Sequence, residues 1–297
     1  HSITGVGFQP DFVWAKHRNG TSGHHFYDAV RGVTKRIRSD TTAAETTAST
    51  GLTAFGADGF TIGTDSGLNS NGNSVNTTAG FSIIKYVGNG STGHTIPHHL
   101  GAVPKMIIAK NLTDGENFAV FHTGLSDPSE EYMKLNETSA ATDGAATTWN
   151  STLPTSSVFS CGVDNRINAN NDNYIAYCFA DKVGYSKFSN FYGNGNADGT
   201  FVYTGFKPAF VMIKNAANAS EEWGIWDSKR DTDNVVQNRL VANVQAAENS
   251  SDYLDFLSNG FKLRTSASGL NQAGTRLIYM AFGQSLVGSN NIACTAR

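Results

Sequence analysis

The sequence predicts an all-β fold: tandem antiparallel β-sandwich domains, jelly-roll or lectin-like, with very little helix. Three observations carry the prediction. Charged residues make up 16% of the 297-residue chain, hydrophobic residues 39%, and Gly outnumbers Pro by 31 to 6, whereas long helices call for more Glu, Lys, Leu and Arg. Short apolar runs end at Asp58-Gly59, Asn89-Gly90, Asn194-Gly195 and Asn259-Gly260, pairs that tolerate the positive φ of tight hairpins. One phrase also recurs, as "GFQPDFVWAKHRN", "LGAVPKMIIAKN" and "GFKPAFVMIKN", each apolar run closing on a lysine: Lys16, Lys110 and Lys214.

The recurrence predicts three imperfect copies: residues 1–80, 81–184 and 185–297. In the second, "FSIIKYVGNG", "HTIPHHLG", "PKMIIAKN", "NFAVFHT", "EYMKLNET", "VFSCGV" and "NYIAYCFAD" follow as strands rich in β-branched and aromatic residues. The third keeps the order, from "SKFSNFYGNG" through "TFVYTGFKPAFVMIKN", "EEWGIWDS", "RLVANV" and "DFLSNGFKLRT" to "RLIYMAFG". The first retains the middle of the plan. "FYDAVRG" faces "IWDSKRD", which aligns Asp28 with Asp227 and Arg31 with Arg230, and "AAE" recurs at 43–45 and 246–248. In "NFAVFHT", Phe118, Val120 and His122 share one face and Ala119 and Phe121 the other, so both faces are largely apolar. Such a strand suits a sandwich that packs against another domain. Helix is confined to a turn or two near "TTAAETTA" and "NVQAAENSS".

The first copy lacks both the opening "FSIIKY"-like strand and the closing "YIAYCF"-like strand. Unpaired edges would result, so the strands are expected to come either from elsewhere or, the favoured reading, from residues before His1 and between Ser74 and Val75 of a longer form. Cys161 and Cys178 sit in apolar runs and read as small buried hydrophobes; with Cys294 they form no metal spacing.

Together these phrases, above all "GFQPDFVWAKHRNGTSGHHFYDAVRGVTKRI", "LTAFGADGFTIG", "TTAGFSIIKYVGNGSTGHTIPHHLG" and "DFLSNGFKLR", resemble a family of tailed-bacteriophage virion proteins, often from marine phages. The resemblance covers nearly the whole chain. It implies a non-enzymatic structural component of the particle, of tail or fibre type, serving assembly and attachment to host-surface glycan. Its partners would be other virion proteins and copies of itself, a trimer by analogy with other appendages. Members carry a tryptophan-rich closing strand and a variable segment where this sequence passes from Ser74 to Val75. The family supplies no catalytic or binding residues to carry over. Two alternatives stand beside this reading: a purely architectural capsid decoration or tube subunit, and a secreted carbohydrate-binding module or glycan-active enzyme.

Composition sets the outer bounds. A net charge of −3 and a pI near 6.2 call for neither nucleic acid nor anionic membrane as partner, and no apolar run is long enough to span a bilayer. No phosphate loop, nucleophile elbow or zinc-protease helix occurs, and no catalytic residue or cofactor is expected. Glu130-Glu131 and Glu221-Glu222 are adjacent carboxylates, which on a strand point to opposite faces and not into one cleft. His24-His25 and His94, His98 and His99 offer only pairs, so no metal site is expected. Arg31 and Arg36, in the basic run "RGVTKRIR", are candidates for anionic contact, against the plainer reading of a charged edge strand. Trp149, in the polar stretch "AATTWNSTLP", is the candidate for stacking on a sugar ring, against the reading of a plug between copies or subunits.

Overall fold

The computed structural model describes residues 2–18, 20–65 and 80–283; Ser74, Val75 and Cys294, on which two expectations turned, lie outside them. The fold is all-β, of β-sandwich type, built from antiparallel sheets. In the second copy, strand Met106–Asn111 lies between Ala119–His122 and Asn173–Phe179, with Phe81–Val87 beyond the latter. In the third, Pro208–Asn215 lies between Gly224–Asp227 and Arg276–Gly283, with Ser186–Tyr192 beyond. The first copy holds only the corresponding central pair, Phe12–Lys16 with His24–Asp28; the outer two strands have no counterpart among the described residues.

These strands read as apolar on both faces because each face meets a different core. Met106 and Ile108 enter a large central cluster, while Ile107 and Ala109 enter a cluster confined to the second copy. Met212 likewise faces the central cluster, and Val211 and Ile213 the third copy's own core. In the first copy, Val13 and Ala15 turn to a local core and Phe12 and Trp14 to the shared one. Strand periodicity thus sorts each run into an inward and an outward set, and all three copies contribute to one common centre.

The second layer differs between copies. In the third, the eight strands form one continuous sheet ending on Phe201–Tyr203. In the second, the stretch corresponding to strand Leu52–Gly56 of the first copy is instead the short helix Ala146–Trp149. The remaining helices among the described residues are Asn165–Asn168 and Ser268–Asn271. The helical turns expected near "TTAAETTA" and "NVQAAENSS" are therefore not formed: Thr46–Thr47 and Asn249–Leu257 are strands. Their "AAE" segments are held extended by contacts to a neighbouring copy, which outweigh alanine's helix preference. Of the four expected hairpins, those at Asp58-Gly59 and Asn259-Gly260 form; Asn89-Gly90 and Asn194-Gly195 instead carry the chain between strands that pair elsewhere, because the flanking strands belong to different layers. The two hairpin glycines have a steric reason. A β carbon on Gly59 would stand 2.0 Å from the Ile3 carbonyl oxygen, and one on Gly260 would stand 2.1 Å from that of Val202. Cys161 and Cys178 are free and buried, as their apolar context predicted.

The copies close head to tail into a ring. The amide of Glu45 donates to the Leu112 carbonyl (3.2 Å), that of Ala141 to Ala216 (2.8 Å), and that of Glu248 to Arg18 (2.9 Å). Strand pairing makes these one bond seen three times. Glu45, Ala141 and Glu248 hold equivalent positions, and so do Arg18, Leu112 and Ala216. The first copy bonds to the second, the second to the third and the third to the first, the closed form of a heterologous interface. Near the centre, the Ser39 hydroxyl donates to the carbonyl of its own equivalent, Ala242 (2.7 Å), which sets both beside the pseudo-three-fold axis.

Candidate functional site

Of the residues singled out by sequence, Arg31, His24, Lys110 and Lys214 lie at the seams of this ring, whereas His94 and His98 bond within the second copy, to Asn168 and the Thr155 carbonyl. Arg31 is fully buried and clasps Asp28, Nε to Oδ2 at 2.5 Å, while its Nη2 donates to the Phe26 carbonyl at 3.0 Å and its Nη1 faces Glu45 at 3.5 Å. The third copy repeats the cluster: Arg230 holds Asp227 (2.5 Å), Glu248 (2.9 Å) and the Ile225 carbonyl (2.9 Å). Across the first seam, the Tyr177 hydroxyl donates to Asp28 Oδ2 at 2.8 Å. Across the third, Arg18 makes a bidentate pair with Glu248 at 2.8 and 3.1 Å. The second copy has exchanged the whole cluster for His122, Leu125 and Ala141. There His122 accepts from the Gly124 amide on Nδ1 and donates from Nε2 to the Tyr279 carbonyl at 3.0 Å.

The lysines that close the recurrent phrase are clamps. Lys110 donates to the Glu116 carbonyl (2.7 Å) and, across the first seam, to that of Thr42 (3.1 Å). Lys214 does the same with Glu221 (2.8 Å) and, across the second seam, Thr138 (3.3 Å). Thr42 and Thr138 are equivalent positions. Lys16 instead donates within its own turn, to His17 and Gly20. Burial pulls Lys110 and Lys214 down to about 8, with Glu116 and Glu221 opposing it. His24 accepts from the Trp14 indole and donates to the Val241 carbonyl at 2.8 Å; the equivalent Trp223 indole donates to Lys134 at 3.0 Å. Burial, aided by Lys16, holds His24 near 4, and burial does the same to His122. Lys110, Lys214, His24 and His122 are each committed to a backbone carbonyl.

Two of the three site candidates therefore change meaning. Trp149 does not stack on a sugar: it is 1% exposed, edge-on to Phe121 and Phe159 in the second copy's own core. It fills the space that a strand occupies in the other copies, so it plugs a gap within one copy, not between copies. Arg31 is likewise sealed from any outside anion. Arg36 keeps partial exposure and pairs with Asp65 at 3.3 Å. Its strand, Lys35–Arg36 with Thr46–Thr47, is a short charged edge. Trp223 and Trp226 are both core, in the shared cluster and the third copy's cluster respectively. Among the described residues no three His, Cys, Asp or Glu side chains could hold a metal ion.

What sequence reasoning passed over is the outer edge of the third copy. Tyr203 is 66% exposed and Phe201 44%, on either side of buried Val202. Aligning "TFVYTG" with "HTIPHH" exposes them as the odd pair. Residues 1–74 and 70–285 match the profile of a family described as "Domain of unknown function (DUF7483)". No curated protein and no solved structure matches the chain.

Proposed function

The chain belongs to this DUF7483 family, and on that premise we propose that it is a non-enzymatic structural component of a phage particle. Its place would be a tail or fibre-type appendage, where it serves assembly and attachment to host-surface glycan. The observation that carries the reading is the closed three-copy ring, joined across its seams by backbone bonds, by Tyr177 on Asp28, by Arg18 on Glu248 and by the clamps Lys110 and Lys214. Groups that in an enzyme would be poised for proton transfer are here spent on holding shape. The likeness of "GFQPDFVWAK" and "LTAFGADGFTIG" to virion proteins supplies the compartment. Other virion proteins and further copies of the chain, in a trimer, would be its partners. The pseudo-three-fold outline of one chain suits end-on seating upon a three-fold fibre.

Mass spectrometry and gold-labelled antibody on purified particles of a phage encoding this chain test the proposal. We expect several copies per particle, located on the tail or fibres. Absence from the particle overturns it, and location on the capsid surface selects the decoration role.

A further inference from the structure

We propose that the outward face of edge strand Phe201–Tyr203 is a carbohydrate-binding platform, on which pyranose rings of a glycan stack against Phe201 and Tyr203. The inference rests on the attachment reading for its ligand class and assigns that role to one face of one copy.

Among the described residues the strand is the last of its sheet and pairs only with Gly260–Leu263: Phe201 with Lys262, Val202 with Phe261, Tyr203 with Gly260. Val202 is 5% exposed and enters the core, so its neighbours point outward. The other copies carry the same strand. Ile3 pairs with Phe60 and Ile96 with Phe159, each the counterpart of Val202 paired with Phe261. Around Ile3 the outward residues are Ser2 and Thr4, and around Ile96 they are Thr95 and Pro97, all exposed. The fold thus builds this strand twice without an aromatic side chain, and in the third copy sets two rings in water at those positions. A structural requirement would show in all three copies.

The chemistry around the rings fits a sugar. Phe201 is seated on a glycine: a β carbon on Gly260 would stand 3.1 Å from its Cε2. Beside it Lys262 bonds Asp198 at 2.7 Å, and the Asp198 side chain is 77% exposed. Flat apolar faces bordered by donors and an acceptor match a pyranose, with its C–H face and hydroxyl rim. The patch is a few side chains, where a stable protein partner would need roughly 20–30 residues a side.

The test uses the whole chain on an array of neutral and acidic bacterial oligosaccharides, followed by titration calorimetry with the best ligand. The variant F201T/Y203T borrows residues that the other copies carry at these positions, and V183S, at a fully exposed valine elsewhere, is the control. We expect binding by the chain and by V183S, and a loss of about tenfold or more in F201T/Y203T with unchanged melting temperature. Equal affinity in F201T/Y203T overturns the platform and leaves attachment intact, its site then lying elsewhere. No glycan bound by the parent chain overturns both. A change of oligomeric state in F201T/Y203T, read by light scattering, makes the face a protein interface and overturns the proposal.

Discussion

Replacing Arg31 by leucine should reveal how the first seam is held. The guanidinium is fully buried and serves Asp28, the Phe26 carbonyl and Glu45 together. Removing one partner of a buried ion pair costs about 3–5 kcal/mol, because the other charge is stranded. Asp28 would keep two donors, the amide of residue 31 at 2.8 Å and Tyr177 at 2.8 Å, which favours the lower end, about 3 kcal/mol. At roughly 2–4 °C per kcal/mol, scanning calorimetry should show a fall of about 6–12 °C. The molecule also contains its own rescue. The second copy forms the equivalent seam with His122, Leu125 and Ala141, facing Met280 where the first seam has Tyr177. The fourfold exchange D28H/R31L/E45A/Y177M transplants that apolar solution. It should recover stability to within about 1.5 kcal/mol of the parent, since apolar replacement of a whole buried cluster is often neutral. A loss below about 1 kcal/mol for R31L, or a fourfold variant no better than R31L, would refute the equivalence of the seams.

Acid should loosen the ring. The folded values of His24 and His122 lie near 4, below the ordinary 6.5, so the unfolded chain binds more protons between those limits. Stability present above pH 6.5 is then lost as pH falls through 4, by at most about 3 kcal/mol per histidine; melting temperature against pH, with H122Q showing a shallower slope, checks it. Alkali should act oppositely at the clamps. Lys110 and Lys214 fall to about 8 from 10.5, so stability rises with pH across that window. K110M should flatten the rise and lower stability at pH 7 by stranding the Thr42 and Glu116 carbonyls, as urea titrations at pH 7 to 10 would show. W149A should cost about 3–5 kcal/mol by emptying the second core while leaving the affinity of any glycan bound by the folded chain unchanged. W149F should be far milder, since the indole N–H has no hydrogen-bond partner among the described residues.

The sequence by itself carried the all-β class, most of the strands and the hairpins at Asp58-Gly59 and Asn259-Gly260, and its recurrent phrase pointed to three copies; the hairpins it placed at Asn89-Gly90 and Asn194-Gly195 gave way to strand pairings with distant segments. Lysine-ended runs, Asn-Gly pairs and the matched Asp28/Arg31 and Asp227/Arg230 are local signals, and the two-residue period showed that runs such as "NFAVFHT" carry two apolar faces. That period says which residues share a face and is silent on what lies against it. Hence Arg31 read as a surface cation, although its neighbours are Glu45 and Tyr177. Trp149 read as a loop residue, although the missing strand of its own copy had left a space for it. Ring closure, the lysine clamps and the aromatic edge at Phe201 and Tyr203 were decided only in three dimensions. Each depends on register between segments far apart in the chain, where packing and not local preference selects the partner.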